Sequence, residues 1–558
     1  MLDRRKLLAL VSVLLLLLAG CSGGAKKETT SSPKNTAGVQ PRRGGILNMT
    51  ASNDLVTLDD SQAVSTIDYE VTAGALYEGL YHVDHQGNLV AGLANGKPDI
   101  SADGLTYTIH LKKGAMFAGP DFTPREVTAE DAAYGMLRAL DPKTKPAPSW
   151  GGGYLYPIEG AQDFASGKSD GVAGIKVIDP YTLQVTLGQP TTSFIYGLTV
   201  ATSWPVPKEG VEQRGEGFGN KPIGAGPFYV KEWKKGESIT LARNPGYVDR
   251  NLPYLDEIHI DLGVDPNTQV LRLQNGQIDA LFEPYALPQA GLRQLLADPS
   301  ISPHVTPTVG PTIYYLALNE KGMFKNKDLR LAVAHAVKRD FVKQFGEQAK
   351  TWNQIFASTT KQSDPSGTRI YPYDPEKAKQ YLRSGGYDGS PARVIYDVTD
   401  PFTSATATSL KQDLEAIGMK VQLKGLQQAQ FFGDAGYNNP SVYDISPTYW
   451  RQDYPDGQDF ISTNFVCAQV EPPGLNVSRY CSKDVDDLLA KSDQLAFGAE
   501  RDGILRQAQQ QIIDDAAGIP MMQVAFPVVV SGKVGQIVSI PTYAPFDWKL
   551  AWMRSATG

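Results

Sequence analysis

Apolar and polar residues follow two different periods along this chain of 558 residues. Alternation at every second position predicts half-buried strands over residues 107–111, 183–187 and 257–262. Helical spacing predicts a helix that begins after Thr128, a favourable N-cap residue. The apolar face of that helix carries Ala132, Ala133, Met136, Leu137 and Leu140. Because such helices and strands alternate without a fixed repeat, the chain is predicted to have a mixed α/β fold.

Two further helices have clear boundaries in the sequence. Asp374-Pro375-Glu376 combines an N-cap, a first-turn proline and an acidic first turn, and Gly385-Gly386 predicts the end of that helix. A shorter amphipathic helix is predicted over residues 409–417, where Gly418 separates it from a strand over residues 420–423.

The start of the chain has a different pattern. Arg4-Arg5-Lys6 precedes an apolar run over residues 7–18, which is shorter than the ~20 residues that cross a bilayer. A basic start, a leucine-rich core and the small residues before Cys21 predict a secretory signal over residues 1–20. Since a cysteine directly follows Ala19-Gly20, the segment resembles a bacterial lipoprotein signal.

That resemblance implies cleavage before Cys21, acylation of its thiol by a fatty acid such as palmitate, and a mature chain anchored to the membrane. An ordinary signal peptide with an incidental cysteine is the alternative. The leucine-rich core favours the general secretion pathway, although residues 3–8 loosely resemble a twin-arginine signal.

The residues after Cys21 divide into a tether and a large folded part. Residues 22–43 are rich in Ser, Gly, Thr, Lys and Pro, so residues 21–43 are predicted to be a lipidated N-terminus and flexible tether. The rest exceeds the ~250–300 residues at which one hydrophobic core stops growing, which predicts two or more lobes. No later run is long and apolar enough to span a membrane.

Composition excludes some classes of function and indicates the redox compartment. The formal net charge is −7 and no basic tract follows the signal, which argues against nucleic-acid binding. Apart from Cys21, the cysteines are Cys467 and Cys481, which flank a loop that contains proline and glycine. In an oxidising compartment this pair predicts a disulfide, with a metal site as the alternative although no histidine lies nearby.

Several short motifs resemble sites of enzymes or metalloproteins. Residues 167–171 match the G-x-S-x-G nucleophile pattern around Ser169, but no buried strand precedes them, so a surface turn is predicted. His82 and His85 are candidate zinc or nickel ligands, yet Asp84 and Gly87 favour a hairpin connection. Neither a catalytic residue nor a cofactor is therefore predicted.

A calcium-binding loop is a further candidate near residue 450. Asp453, Asp456 and Asp459 are regularly spaced, but their spacing is not that of a calcium loop.

Longer blocks, each weak alone, occur in a defined order along the chain. They are Leu76-Tyr77-Glu78-Gly79-Leu80-Tyr81, residues 103–114, Phe117, Thr128-Ala129-Glu130-Asp131, residues 177–183, residues 222–228, Asn244-Pro245-Gly246-Tyr247, Leu255-Asp256-Glu257-Ile258, Gly276-Gln277-Ile278-Asp279, residues 329–334, residues 373–378 and Asp453-Tyr454-Pro455-Asp456. Together they resemble the extracellular solute-binding proteins of family 5, the peptide-binding components of ABC importers. The resemblance runs from about Gly44 to the C-terminus.

The resemblance implies a bilobal fold like that of type II periplasmic binding proteins, with an extra domain inserted in the N-terminal lobe. On this chain, lobe 1 would comprise residues 44–74, 194–311 and 525–558, and the inserted domain residues 75–193. Lobe 2 would comprise residues 312–524. Two crossing strands would join the lobes, and a ligand would be enclosed between them.

A W-x-x-D segment of the second lobe carries the implied ligand site. By resemblance, Asp453 pairs with the α-ammonium of the ligand, between walls formed by Tyr449, Trp450 and Tyr454. The backbone of residues 449–451 would add hydrogen bonds to an extended peptide. Arg451 would recognise a ligand carboxylate or lie in a surface ion pair. The alternative is that Asp453 belongs to a capped turn without a binding role.

The opposite wall of the site is predicted from an early loop that contains Ser65, Thr66 and Ile67. Tyr154, which follows three glycines, is a further candidate, although these glycines are also compatible with a simple turn.

These patterns predict a monomeric, lipid-anchored binding protein on the extracytoplasmic side of the cell membrane. It would capture short peptides and deliver them to an ABC permease whose ATPase subunits are separate chains. Alternatives are the same scaffold with a sugar, an opine or a nickel chelate as ligand, and a peptide-sensing surface receptor. A secreted hydrolase with Ser169 as nucleophile is a further alternative.

Overall fold

Strands and helices alternate through the computed structural model, which describes residues 40–555 except 64, 146–150, 285–286, 307–309, 434–435, 472–473, 526 and 543–545. In chain order the strands are β1 (Ile46–Thr50), β2 (Tyr81–Val83), β3 (Leu89–Ala91), β4 (Asp99–Ile100), β5 (Thr106–His110), β6 (Ile175–Asp179), β7 (Thr182–Thr186), β8 (Phe228–Lys234), β9 (Ser238–Arg243), β10 (Glu257–Asp261), β11 (Ala280–Leu281), β12 (Val305–Thr306), β13 (Thr312–Leu318), β14 (Ala349–Thr351), β15 (Ala392–Asp397), β16 (Val421–Leu426), β17 (Ile445–Arg451), β18 (Gly518–Val524), β19 (Val528–Val529), β20 (Val534–Ser539) and β21 (Phe546–Met553). The α-helices are α1 (Thr66–Val71), α2 (Ala129–Leu140), α3 (Ala161–Ala165), α4 (Phe194–Gly197), α5 (Lys208–Arg214), α6 (Pro266–Gln274), α7 (Gln289–Ala297), α8 (Lys327–Ala336), α9 (Pro375–Ser384), α10 (Pro401–Ala416), α11 (Gln428–Phe431), α12 (Gly457–Asn464), α13 (Lys483–Asp493) and α14 (Ala499–Asp514). The mixed α/β class predicted from the sequence is confirmed.

Most of the predicted elements are confirmed within one or two residues. The three alternating runs form β5, β7 and β10, because period-two burial is read directly from the sequence. The helix after Thr128 is α2, whose N-terminus has a capping box between Thr128 and Asp131. Helix α9 begins after Asp374, which accepts a hydrogen bond from the backbone N–H of Lys377.

One helix is longer than predicted. Helix α10 begins at Pro401 rather than at residue 409, because Asp400 caps it by accepting a hydrogen bond from the N–H of Thr403. Its first turns are rich in Ser and Thr, which have low helix propensity and hide the helical pattern. The strand that follows, β16, extends to Leu426.

Two sheets are built from the first half of the chain. The five-stranded sheet has the order β11-β1-β10-β9-β8, with β1 parallel to both of its neighbours. The antiparallel four-stranded sheet has the order β4-β5-β7-β6. One cluster of buried apolar residues joins the two sheets, from Leu47 and Ile258 in the first to Ile109 and Leu183 in the second.

A six-stranded sheet is built from the later part of the chain, in the order β14-β18-β13-β17-β15-β16. All seven residues of β13 are buried, and they alternate between two apolar clusters, with Ile313 and Tyr315 in one and Leu316 and Leu318 in the other. Helices therefore cover both faces of this sheet. Strand β17 lies next to β13 and leads into the predicted ligand site.

Two passages of the chain run side by side between the large sheets. Strand β12 pairs antiparallel with β19. Gly310 leaves room for the neighbouring passage, since a Cβ on it would be 1.7 Å from the carbonyl oxygen of Val524. Residues 38–558 form one compact unit. The division into lobes and an inserted domain at the residues given above stays a prediction.

No helix in the described part of the chain has the length and apolar content needed to cross a bilayer. Cys21 lies outside the described residues.

Candidate functional site

Asp453 lies at the turn that connects β17 with α12. Strand β17 pairs with β13 from Ile445 to Arg451, which fixes the direction in which the chain leaves the sheet. Asp456 then begins α12, because its side chain accepts a hydrogen bond from the N–H of Gln458 at 3.1 Å. The short turn between a central strand and a capped helix therefore holds Asp453 in a fixed place.

The Asp453 side chain is buried and its carboxyl group has close polar neighbours. The hydroxyl of Tyr154 donates a hydrogen bond to Oδ2 of Asp453. Burial raises the pKa of Asp453 to about 6, although hydrogen bonds from Tyr154 and Asp459 and the charge of Arg451 act in the opposite direction. At neutral pH the group is therefore a carboxylate in a poorly solvated place.

Asp459, in the first turn of α12, holds the backbone of Asp453 through a hydrogen bond. Its Oδ2 accepts hydrogen bonds from the backbone N–H of Asp453 and from Nε1 of Trp450, both at 3.0 Å. Asp459 is completely buried. Burial and the neighbouring Asp453 charge raise the pKa of Asp459 well above its usual value.

Aromatic side chains enclose the turn. The rings of Tyr454 and Tyr196 stack with their centroids 5.1 Å apart and their planes 3° from parallel. Tyr154 contacts Tyr454 edge to face at 6.2 Å. The hydroxyl of Tyr196 accepts a hydrogen bond from Nζ of Lys361 at 3.0 Å. These rings exclude water from Asp453 and keep its surroundings weakly polar.

Asp453 lines a cavity of about 60 Å³ whose opposite wall comes from the first half and the end of the chain. Tyr69, Thr199, Trp204 and Phe546 form much of that wall. The cavity is smaller than the ~300–1,000 Å³ of typical ligand pockets. A peptide can therefore enter only if the two walls move apart.

A group of charged residues lines the same cavity opposite Asp453. Nδ1 of His82 lies 3.2 Å from Oε1 of Glu78, and Tyr247 donates a hydrogen bond of 2.6 Å to the other Glu78 oxygen. Burial alone would raise the pKa of Glu78, but the charges of Lys549 and His82 and these contacts lower it to about 2. Nζ of Lys549 lies 3.4 Å from both His82 and Asp547.

A larger cleft of about 630 Å³ adjoins the site and shares Tyr154 and Tyr454 with it. Its walls come from residues 153–197 and from α12 and α13. Near it, Ser193 donates a hydrogen bond to Asp493 at 3.0 Å, and Thr192 donates one to the carbonyl of Leu495 at 2.7 Å. The two halves of the chain are thus in direct contact beside the cavity.

A buried ion pair holds the far end of the Asp453 turn. Arg501 of α14 donates hydrogen bonds of 2.6 and 2.9 Å to the two carboxylate oxygens of Asp456, and neither side chain is exposed. Gln362 and Gln458 complete the network, because they contact Asp456 and Arg501, respectively. The paired charges fix Asp456, and with it the start of α12.

The other predicted residues of the W-x-x-D segment have different surroundings. Trp450 is partly buried and directs its indole N–H to Asp459, while Arg451 is buried within the electrostatic reach of Asp453. The ring of Tyr449 lies 5.2 Å from that of Tyr314. On the side of β17 away from β13, strand β15 pairs with β17 only through Val394 and Ile445, ahead of residues 449–451. Backbone contacts between residues 449–451 and a ligand stay a prediction.

The three residues predicted for the opposite wall lie at the start of α1. Ser65 caps α1 by accepting a hydrogen bond from the N–H of Asp68, and Ile67 packs in the core. The side chain of Thr66 lies outside the described part of the structure. Tyr69, one turn further along α1, lines the cavity. Ligand contacts by the three predicted residues stay a prediction.

The remaining motifs lie in ordinary structural settings. Ser169 is partly exposed in a loop and donates a hydrogen bond to the carbonyl of Gly171. His82 belongs to a hairpin of β2 and β3, and no group of three possible metal ligands occurs among the described residues. Cys467 and Cys481 form a disulfide bond.

Three residues of the site are not predicted from the sequence. The sequence marks Asp459 only as one of three aspartates whose spacing is not that of a calcium loop. Lys549 reaches the site from β21 and Tyr196 from α4, both distant in the sequence, and no local pattern marks either of them. For Asp459 a signal existed, because Asp456 predicts a helix start that places Asp459 within the first turn.

Comparison with known proteins gives a consistent result. Residues 88–471 match the family model of bacterial extracellular solute-binding proteins, family 5. The chain is 27% identical over 480 residues to di/tripeptide-binding protein 2 of Pseudomonas aeruginosa. That alignment covers 83% of this chain and 86% of the relative. The chain is 26% identical over 485 residues to the glutathione-binding protein GsiB of Escherichia coli, with 85% and 88% covered.

A solved structure extends the likeness to the fold. The ABC transporter-associated periplasmic binding protein DppA of Helicobacter pylori, in complex with the peptide STSA, superposes with a TM-score of 0.78 at 24% identity. The superposition covers 92% of this chain and 99% of that one. The predicted fold of type II periplasmic binding proteins is thereby confirmed. The family match spans more than half of the chain, and this protein belongs to the bacterial extracellular solute-binding proteins of family 5.

Proposed function

We propose that this protein binds short peptides in the cavity at Asp453 and delivers them to the permease of an ABC importer, whose ATPase subunits are separate chains. The observation that carries the proposal is the buried Asp453 carboxyl group, which lines the cavity beside Tyr454 and accepts a hydrogen bond from Tyr154. The α-ammonium group of a peptide is a compact cation that such a carboxylate favours strongly.

The names of the relatives support the same class of ligand. Proteins that align with more than four fifths of this chain are named for di- and tripeptides and for glutathione, a small peptide. Arg451 is the proposed partner of a ligand carboxylate, and Tyr449, Trp450 and Tyr154 are proposed to enclose the ligand. Ser65, Thr66 and Ile67 are proposed to lie near it on the opposite side.

Binding requires two arrangements of the lobes. The cavity of about 60 Å³ cannot hold a peptide, so a ligand must enter while the walls are apart. The ligand then shifts the population towards the closed arrangement, because it contacts both walls there and only one in the open state. The permease would recognise the closed form. No covalent step is part of this function, and we assign no enzymatic activity to the protein.

We further propose that the mature protein begins at an acylated Cys21 and is held on the extracytoplasmic side of the cell membrane as a monomer. One acyl chain gives only weak anchoring, and two or more make it stable. Metabolic labelling with a fatty-acid probe tests this: the wild-type protein should be labelled, and the Cys21→Ser variant should not.

A screen for ligands tests the central proposal. Mass spectrometry of the mature protein under native conditions should reveal a co-purified peptide. A thermal-shift panel should show stabilisation by di- and tripeptides but not by oligosaccharides, an opine or chelated nickel. The matched pair is trialanine and N-acetyl-trialanine, which differ in the ammonium group that Asp453 is proposed to bind.

The outcomes separate the alternatives. Stabilisation by a sugar, an opine or a nickel chelate alone would replace peptides as the ligand class. Peptide binding together with unchanged peptide uptake in a deletion strain would favour a sensing receptor. Labelling of Ser169 by a fluorophosphonate would favour a hydrolase. Equal binding of the free and acetylated peptides would remove Asp453 as the ammonium partner.

A further inference from the structure

Two buried carboxyl groups lie in contact at the site, and the structure gives them unequal partners. Asp459 is completely buried, and its Oδ2 accepts hydrogen bonds from Trp450 and from the backbone of Asp453. Its Oδ1 is also buried and receives no hydrogen bond from any described residue. A carboxylate oxygen in this position would be poorly stabilised, since buried acceptors almost always have a donor.

The charges around the pair do not support two negative groups. Arg451 acts on Asp453, whereas the strongest charged neighbour of Asp459 is the Asp453 carboxyl itself. The nearby cation Arg501 is already paired with Asp456. The titratable groups that face Asp459 from the other elements are Tyr154 and Tyr454, which are neutral at neutral pH. Two adjacent buried carboxyl groups in these surroundings retain one proton.

The partners also indicate which group retains the proton. The Asp453 carboxyl has a hydroxyl donor in Tyr154 and a cation in Arg451, and both favour its charged form. The side-chain oxygens of the two carboxyl groups lie within hydrogen-bonding reach of each other. Since an ionised carboxylate can only accept, one of the two groups must carry a proton for that bond to form. A proton on Oδ1 of Asp459 would give that orphan atom a role as donor.

We propose that Asp459 is a neutral carboxylic acid whose proton is donated to Asp453 and holds the Asp453 carboxylate in position for the ammonium group of the ligand. Asp459 is thus a positioning residue, and the pair presents one negative charge to one ligand cation. This inference rests on the proposed function of Asp453 in binding an ammonium group.

The isosteric variant Asp459→Asn tests the inference, because an amide reproduces a neutral donor and acceptor of the same shape. Calorimetry with trialanine at pH 7.5 should give an affinity within about threefold of the wild type, less than the effect of one lost hydrogen bond. Asp459→Leu removes the donor and should weaken binding about fivefold or more. It should also move the pH at which binding is half lost upward, because Asp453 then lacks a hydrogen bond that favours its charge.

Infrared difference spectroscopy gives a readout that a merely structural role would not change. Asp60 is another buried carboxyl group with a raised pKa, so the variants are compared by difference. The wild-type minus Asp459→Asn spectrum at pH 7.5 should contain the carbonyl stretch of a protonated carboxylic acid, and Asp453→Asn should retain that band. Loss of binding in a folded Asp459→Asn variant, or absence of that band from the difference spectrum, would overturn the inference. Failure of the wild type to bind trialanine would instead contradict the proposed function, and the infrared measurement would still test the proton.

Discussion

The Tyr154 hydroxyl donates a hydrogen bond to Asp453 although the two residues are 299 positions apart in the chain. Tyr154 lies in a 3₁₀ turn over Gly152–Leu155, and Asp453 follows β17 of the six-stranded sheet. The contact therefore joins the two halves of the protein at the carboxylate that is proposed to bind the ligand. Whatever changes this hydrogen bond changes the charge state of Asp453 as well as its position.

Tyr154→Phe should weaken the binding of a free-amine peptide while leaving the fold intact. The hydroxyl favours the charged form of Asp453, so its removal raises the pKa of Asp453 further and lowers the fraction that can pair with an ammonium group. We expect a loss of about 0.5–1.5 kcal/mol at pH 7.5, the usual net value of one hydrogen bond, and a larger loss at pH 6. Calorimetry at pH 7.5 and at pH 6 measures this loss of binding free energy.

Tyr156→Phe is the matched control, because Tyr156 lines the same neighbouring cleft as Tyr154 but is exposed, and the hydrogen bond to Asp453 comes from Tyr154. An equal loss of affinity in both variants would show that the Tyr154 hydroxyl has no specific role.

Peptide affinity should fall as the pH is lowered through 6. The pKa of Asp453 is raised to about 6, and only the carboxylate attracts an ammonium group, so protonation below that pH removes the attraction. The peptide amine, with a pKa of about 8, stays mostly charged from pH 5 to 7.5 and contributes little to the change. One proton per site predicts a loss of about tenfold between pH 7.5 and pH 5.

The same titration with Asp453→Asn provides the control. The binding free energy of this variant should be about 2–5 kcal/mol less favourable than that of the wild type. Its affinity should not change over this pH range. A wild-type affinity that is constant from pH 5 to 7.5 would contradict the prediction.

Much of the fold could be predicted from the sequence where the pattern is local. Strand alternation identified β5, β7 and β10, and the Asp374-Pro375 start fixed the beginning of α9. The start of α10 was missed although Asp400-Pro401 carries the same cap signal, because the Ser- and Thr-rich turns after it lack an apolar stripe.

Only part of the site could be predicted from local sequence patterns. The W-x-x-D segment pointed to Asp453, because a short motif can carry a family likeness. Lys549 and Trp204 in the wall opposite it could not be predicted, since they are distant in the chain and both line the cavity only in the folded protein. Spacing along the chain contains no information about such contacts, which arise from tertiary packing alone.

Arg501→Met should destabilise the protein strongly. Arg501 and Asp456 are both fully buried, and removal of one partner leaves an unpaired charge in the interior. Such a change typically costs about 3–5 kcal/mol, which urea denaturation measures. Removing both charges in Arg501→Met with Asp456→Asn should recover part of that loss. The pair Lys483–Asp487 is the control, because both side chains are exposed. Lys483→Met should therefore leave the midpoint of urea denaturation unchanged.

Loss of the bond between Cys467 and Cys481 should lower stability without abolishing peptide binding. The two residues are 14 positions apart, and closing a loop of about 15 residues contributes about 3 kcal/mol in the chain-entropy model. The loop also has contacts that survive reduction, since the Asn476 side chain donates hydrogen bonds to the carbonyls of Val466 and Tyr480. Local structure should therefore persist in the reduced protein.

Urea denaturation of the wild type with and without a reductant measures this contribution, and Cys467→Ala with Cys481→Ala is the matched variant. The reductant should lower the midpoint of the wild type and leave that of the double variant unchanged. The disulfide lies beyond α12, away from the cavity lining, so trialanine should bind both forms equally at a temperature where both are folded. An unchanged wild-type midpoint under reduction would show that the remaining contacts of the loop suffice to close it.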